Sequence, residues 1–362
     1  MLAEDFFVDQ PWLSSTAQPA ITVAALRFDR TAALLDGRVR RENMTFVNVP
    51  GGPTAADGLM SGAFDAADIP LVQYVAWKFN ERDVTAIPVF SDRLFQRPYI
   101  YTRLDTGIKT LADLRGRRVM SAPSYFGTPA FWHRAILKEE YGIEPSEVEW
   151  FSATPARADT SYPPGVRVTY APASYLGLER LLDGTVDCLM TARTAMILPR
   201  DAGKVIRVAA DAHERDRESV RKNGFFPILH VIVVRRASLE RRPSMAVELC
   251  SAFDDAKEYA YRILQDERMT SLPFMRRYLD ETVEVWGDDP WPYGVEPNRA
   301  VLDQFLGYAH EQGLVGRTLS VGELFDNDSA RHEFQARMTP GCITATVDGG
   351  WAAIPSWPDR EM

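Results

Sequence analysis

Short apolar runs rich in β-branched residues alternate along the chain with stretches whose apolar positions return every three to four residues. That is the pattern of strands alternating with amphipathic helices. Ile21-Thr-Val-Ala-Ala-Leu26 and Thr45-Phe-Val-Asn-Val49 read as buried strands on either side of a helical stretch around Thr31–Leu35. Two later segments resemble each other. Leu59-Met-Ser-Gly62-Ala-Phe64-Asp65-Ala-Ala-Asp68 and Leu181-Leu-Asp-Gly184-Thr-Val186-Asp187-Cys-Leu-Met190 each end a helix at a glycine and open a strand behind an aspartate. The repeat predicts two similar α/β lobes.

Leu111-Ala-Asp-Leu114-Arg-Gly116-Arg-Arg-Val119 opens the second lobe with a short helix, a glycine cap and a strand over Arg118–Ser121. The loop Ala122-Pro-Ser124-Tyr125-Phe126-Gly127-Thr128 then feeds a helix with Trp132, Ile136, Leu137 and Tyr141 on one stripe. A Ser/Gly/Thr loop at a helix start can hold an anion, and plain N-capping by Ser124 or Thr128 explains it equally well. Phe225-Phe-Pro-Ile-Leu-His230-Val-Ile-Val-Val234 reads as a strand returning to the first lobe. Beyond it, Met245, Leu249, Phe253, Ala256, Ala260 and Leu264 mark a long helix, and Val301, Leu302, Phe305, Leu306 and Ala309 a last one closed by Gly313. The expected fold is α/β and two-lobed, with two crossovers forming a hinge over an interlobe cleft. Lobe 1 is 20–102 plus 228–335 and lobe 2 is 103–227, while 1–19 and 336–362, with Trp351 and Trp357, form extended arms.

Composition narrows the function. The 362 residues carry 41 Lys+Arg against 50 Asp+Glu, a net charge of −9, which lacks the footprint of a nucleic-acid binder. An anionic ligand therefore needs a local cluster of donors. Three cysteines, Cys188, Cys250 and Cys342, lie far apart without a Cys-x-x-Cys, which argues against a disulfide framework or structural zinc. Cys188, in an apolar run, reads as a buried small residue. The acidic N-terminus has no basic side chain before Arg27, and the longest apolar run, Val231–Val234, is far short of the roughly 20 residues of a membrane span. A cytoplasmic protein with no membrane or nucleic-acid partner is expected, assembling as a homo-oligomer. Nucleotide-binding glycine motifs and zinc-hydrolase motifs are absent, and His133, His213, His230, His310 and His332 are dispersed, so neither cofactor nor metal is expected.

Phe28-Asp-Arg-Thr31, Ile87-Pro-Val-Phe90 with Arg93 and Phe95, Asp113-Leu-Arg-Gly-Arg-Arg-Val119 and Phe226-Pro-Ile-Leu-His230-Val carry a resemblance. Trp291-Pro-Tyr-Gly-Val-Glu-Pro-Asn-Arg299 and Tyr308-Ala-His-Glu-Gln-Gly-Leu314 extend it. Over roughly residues 20–325 the chain resembles the 4,5-dihydroxyphthalate decarboxylases, relatives of the type II periplasmic binding proteins. The resemblance implies a type II periplasmic-binding-protein-like fold and a cofactor-independent carboxy-lyase acting on a hydroxylated aromatic carboxylate. Two stretches depart from the family's pattern. Gln96-Arg97-Pro98-Tyr99 replaces Arg-His-Ser-Ser, and Ser124-Tyr-Phe-Gly-Thr128 replaces Glu-Tyr-Gln-Met-Thr.

Decarboxylating such a ring needs a grip on its carboxylates, a base for the phenol and an acid for the carbon that loses CO2. His230, whose ordinary pKa of about 6.5 suits acid or base, is the leading acid/base. A core histidine satisfied by a backbone carbonyl is the competing reading. Asp29 and Arg30 follow the first strand at the sheet edge where open α/β folds bind ligands. Arg30 suits a carboxylate, and Asp29 a phenolic proton or the orienting of His230, against an ordinary surface turn. Arg93, Arg97 and Arg193 are further carboxylate clamps, and Ser124, Tyr125 and Thr128 further substrate contacts. His310 is a weaker acid/base candidate at a helix end, and His133 reads as a surface or packing residue. A solute-binding protein for an aromatic acid, or a different lyase on the same scaffold, are the alternatives.

Overall fold

The computed structural model describes residues 21–155, 161–174, 176–193, 203–224, 226–326 and 328–338. The N-terminal arm, all but 336–338 of the C-terminal one, Cys342 and Phe225 lie outside the described residues. The chain opens with β1 (Ile21–Ala25), α1 (Asp29–Leu35), β2 (Met44–Asn48), α2 (Gly52–Ser61), β3 (Ala66–Pro70), α3 (Leu71–Phe79) and β4 (Val84–Arg93). It continues through β5 (Ile100–Arg103), β6 (Arg118–Ser121), α4 (Thr128–Tyr141), β7 (Glu149–Ser152), β8 (Arg167–Tyr170), α5 (Leu178–Leu182), β9 (Cys188–Met190), β10 (Val205–Arg207) and α6 (Ala212–Asn223). It closes with β11 (Ile228–Arg235), α7 (Arg236–Arg241), α8 (Met245–Gln265), α9 (Met275–Trp286), α10 (Arg299–Glu311) and α11 (Val321–Leu324).

These strands form two sheets, ordered β2-β1-β3-β11-β4 and β10-β5-β9-β6-β7-β8. In the first, β1, β2 and β3 are parallel, and the returning β11 inserts antiparallel between β3 and β4. The second has a parallel centre of β9, β6, β7 and β8, with β5 and β10 antiparallel at one side. The chain passes from the first sheet to the second between Arg93 and Ile100 and returns between Arg207 and Ile228. Ile100–Arg103 thus pairs in the second sheet. No helix among the described residues is long and apolar enough to cross a membrane.

The helix–glycine–aspartate repeat explains how each sheet is organised. Gly62 and Gly184 both turn the chain in the left-handed region, at φ 85° and 82°. Each following aspartate then grips a neighbouring strand. Asp65 N–H donates to Thr22 O at 2.8 Å and its Oδ2 accepts Thr22 N–H at 2.9 Å. Asp187 makes the same two bonds with Arg118, at 2.8 and 3.1 Å.

On one face of the first sheet, Met245, Leu249, Phe253 and Ala256 of α8 pack on Val23, Val89, Ile232 and Val234. On the other, α3 and α10 join the largest core, which runs on to Phe131, Trp132 and Trp150 of the second half. Helix α4 is pinned across by polar contacts: Trp132 Nε1 donates to Ile228 O at 3.1 Å, and Arg134 Nε donates to Gln312 Oε1 at 2.7 Å. The carboxyl ends of β1, β3 and β4 meet the start of β11 at this junction. Asp65→Ala and Asp187→Ala each strand an amide of a neighbouring strand. Each substitution should cost about 1–3 kcal/mol in urea unfolding, and midpoints unchanged in both would contradict the strand-gripping role.

Candidate active site

His230 lies near the start of β11, paired with Pro70 of β3 on one side and Asp92 of β4 on the other. Its Nδ1 bonds Asp68 Oδ1 at 2.6 Å. Asp68 is wholly buried while the His230 side chain keeps 16% of its surface exposed. Burial pulls the imidazolium down, but the attraction and hydrogen bond of Asp68, with the charge of Asp92, outweigh it and hold His230 above its ordinary pKa. Asp92 is pushed above the usual carboxylate range by burial, against the pull of His230 and Arg30. With Nδ1 engaged by a carboxylate, Nε2 is the nitrogen left to exchange a proton.

Arg30 flanks this pair from the first turn of α1. Its Nε donates to Ser91 O at 2.7 Å, Nη1 meets Asp29 Oδ1 at 2.9 Å and Nη2 lies 3.8 Å from Asp92. The guanidinium stacks 3.6 Å from the centre of the Trp291 ring. Trp291 is held in turn by its Nε1 donating to Phe90 O at 2.7 Å, and the buried Lys257 grips Asp289 and Trp291 O beneath it. Asp29 and Arg30 line a cavity of about 320 Å³ together with Phe95, Phe226, Tyr261 and Trp291. His230 is outside that lining. Among the described residues no three His, Cys, Asp or Glu converge as a metal-binding group.

No model of a known protein family matches the chain. It is 30% identical over 319 residues to the 4,5-dihydroxyphthalate decarboxylase of Comamonas testosteroni, covering 84% of this chain and 96% of that protein. The chain belongs to the 4,5-dihydroxyphthalate decarboxylase family. A protein of the same name from Pseudomonas putida is 29% identical over 136 residues, 36% of this chain and 51% of that one. Membership makes the chain an enzyme, a carboxy-lyase. The periplasmic aliphatic sulphonate-binding protein SsuA of Escherichia coli matches the structure with a TM-score of 0.52 at 15% identity, over 85% of this chain and 92% of its own. The ligand-binding component of an ABC-type import system from Staphylococcus aureus does so at 0.52 and 12%, over 88% and 99%. These likenesses show a periplasmic-binding-protein-like fold.

Within this decarboxylase-family fold, the expected site residues separate into two groups. His230, Arg30 and Asp29 come together. Arg93 is buried and turned away: its Nη2 donates to Pro292 O at 2.8 Å and to Asn298 Oδ1, which braces the 291–298 segment. Arg97 is buried between Glu140 of α4 and Asp216 of α6. Tyr125 packs against Phe126, Trp150 and Tyr162 beneath the Arg134 guanidinium, 3.8 Å from its ring centre. Thr128 Oγ1 accepts Val72 N–H at 3.4 Å, and Ser124 Oγ accepts Phe126 N–H at 3.2 Å. Neither hydroxyl caps α4, whose N-cap is Gly127. Arg193 is exposed just past the end of β9.

His133 is buried, its Nε2 donating to Gln96 O at 3.2 Å, and burial drops its pKa to about 3, so it packs as a neutral ring. His310 bonds Val315 O, a helix-end contact. Cys188 is buried, and burial pushes its thiol up, away from nucleophilic use. Sequence reasoning missed Asp68 and Asp92. The available signal for Asp68 was a lone carboxylate inside the apolar strand Ala66-Ala-Asp68-Ile-Pro70.

Arg97 carries a stability consequence. Removing it leaves Asp216, whose carboxyl burial already pushes to about 6, without its cation. Arg97→Met should lower stability by about 3 kcal/mol in urea unfolding, whereas a midpoint equal to wild type would contradict a structural ion pair.

Proposed function

We propose that this enzyme decarboxylates a hydroxylated aromatic acid of the 4,5-dihydroxyphthalate kind by protonating the ring carbon that carries the departing carboxylate. The observation that carries the reading is the 2.6 Å bond between His230 Nδ1 and the buried Asp68, with the imidazole still open to solvent. It supplies an oriented acid whose pKa Asp68 holds above the ordinary histidine value.

In this reading Arg30 pairs with a substrate carboxylate. Its flat guanidinium, already stacked on Trp291, presents the geometry that carboxylates prefer. Asp29 takes the phenolic proton through Oδ2, since its Oδ1 already serves the Arg30 amide and guanidinium. The phenolate, para to the carboxylate, pushes an electron pair onto the ring carbon. A new C–H bond forms there with the proton of His230 Nε2. The C–C bond then breaks, its pair restores the aromatic ring and CO2 departs. Proton return from Asp29 to the phenolate completes the cycle, and His230 regains a proton from solvent. Asp92 stabilises the imidazolium alongside Asp68. The cavity of about 320 Å³ lined by Asp29 and Arg30 is of a size for one ring, and in this reading the ring must extend past that lining to reach His230.

Purified protein incubated with 4,5-dihydroxyphthalate should release equimolar CO2 and 3,4-dihydroxybenzoate, with one deuterium at the former carboxyl carbon in D2O. His230→Asn should lower kcat by about 10²–10⁴-fold. Absence of CO2 across a panel of hydroxylated phthalates and benzoates would overturn the substrate class, and turnover undiminished in His230→Asn would overturn the acid. The pH profile tests the dyad separately. A general acid works only while protonated, so activity should fall as pH rises through the elevated His230 pKa. Asp68→Asn removes the attraction that raises it, and the alkaline limb of kcat/KM should move to lower pH; an unmoved limb counts against the pairing.

A further inference from the structure

A larger cavity, about 480 Å³, lies beside the crossovers, outside the cluster of His230, Asp68 and Asp92. Its walls come from three directions. The first crossover supplies Leu94, Phe95, Pro98 and Tyr99; β10, α6 and the segment between them supply Arg207, Val220 and Ala209; α9 supplies Tyr278, Val285 and Trp286. The volume suits a small ligand, and the apolar, aromatic lining suits a ring.

The charges on the walls resolve to one unmatched cation. Glu281 is bonded by Arg217 and by His213 at 2.9 Å. Asp216 is bonded by Arg97. Arg207, exposed on β10 and lining the cavity, has no carboxylate partner among the described residues. An aromatic cage with one uncommitted guanidinium is complementary to a ring bearing a carboxylate.

We propose that this cavity is a second binding site, for a monocyclic aromatic monocarboxylate, distinct from the site at Arg30 and His230. The inference rests on the cavity and on Arg207, and it stands whether or not the decarboxylation chemistry is as described. Part of the first crossover forms the wall, and α6 lies within the second. Occupancy of the cavity therefore bears on the segments that join the two sheets. Phe95, Tyr278, Thr282 and Trp286 line this cavity and the smaller one alike, so a ligand here also presses on the wall of the catalytic side.

Benzoate is the probe, titrated by calorimetry into the full chain, with Trp286 fluorescence as a second readout. Wild type should bind it and quench Trp286 emission, a quench lost in Trp286→Phe. Arg207→Gln, at an exposed position that leaves the fold intact, should weaken binding about tenfold or more. Ala209→Phe, which fills the cavity, should abolish it, and Arg30→Gln should leave it unchanged. No binding to wild type, equal affinity in Arg207→Gln, or loss of binding in Arg30→Gln would each overturn the second site. The last result would place benzoate at the catalytic cavity. Because the readout is binding, failure here is separable from failure to release CO2.

Discussion

The hydrogen bond between His230 and Asp68 depends on one topological fact, the insertion of a returning strand antiparallel between β3 and β4. That insertion puts an imidazole from residue 230 beside carboxylates from residues 68 and 92, each from a different strand. A buried carboxylate is costly unless paired, and Asp68 is fully buried with its Oδ2 lacking a hydrogen-bond partner. The hydrogen bond from the His230 imidazole is what offsets that burial. The pairing lies where the register of β11 against β4 shifts on both sides of His230, at the end of the sheet near Arg30 and Trp291.

Arginine placement shows how an acidic chain can still meet an acid. Arg97 is sealed between carboxylates and Arg93 is locked onto a carbonyl and an amide. Arg134 lies buried on Tyr125, tied to Gln312. These guanidiniums hold elements together. Arg30 differs because it lines a cavity and stacks on an indole while bonding Asp29 and lying 3.8 Å from Asp92. Full burial of an arginine between protein partners thus marks structure, and a place on a cavity wall makes Arg30 a candidate for binding.

Much of the fold was legible because its signals are local. Gly62 and Gly184 announce left-handed caps, and Asp65 and Asp187 announce strand openings, all within ten residues of one another in each copy. The long helix α8 followed from its apolar spacing. The sheet to which Ile100–Arg103 belongs did not follow, since four apolar and polar positions carry no information about a pairing partner. Site legibility divided the same way. His230 and Arg30 could be read from motif resemblance and position. The partners of Arg97 could not, because Glu140 is 43 positions away and Asp216 is 119. Asp68 hid inside an apolar strand, where a single aspartate looks like a misfit until β11 supplies its histidine.

The central claim is that Asp68 fixes both the tautomer and the charge of His230. Nitrogen-15 NMR of histidine-labelled protein, with the His230 signal assigned by its loss in His230→Asn, measures both at once. The account predicts a neutral form protonated at Nδ1 and a titration midpoint above the ordinary value of about 6.5. A neutral form protonated at Nε2, or a midpoint at or below that value, would contradict it.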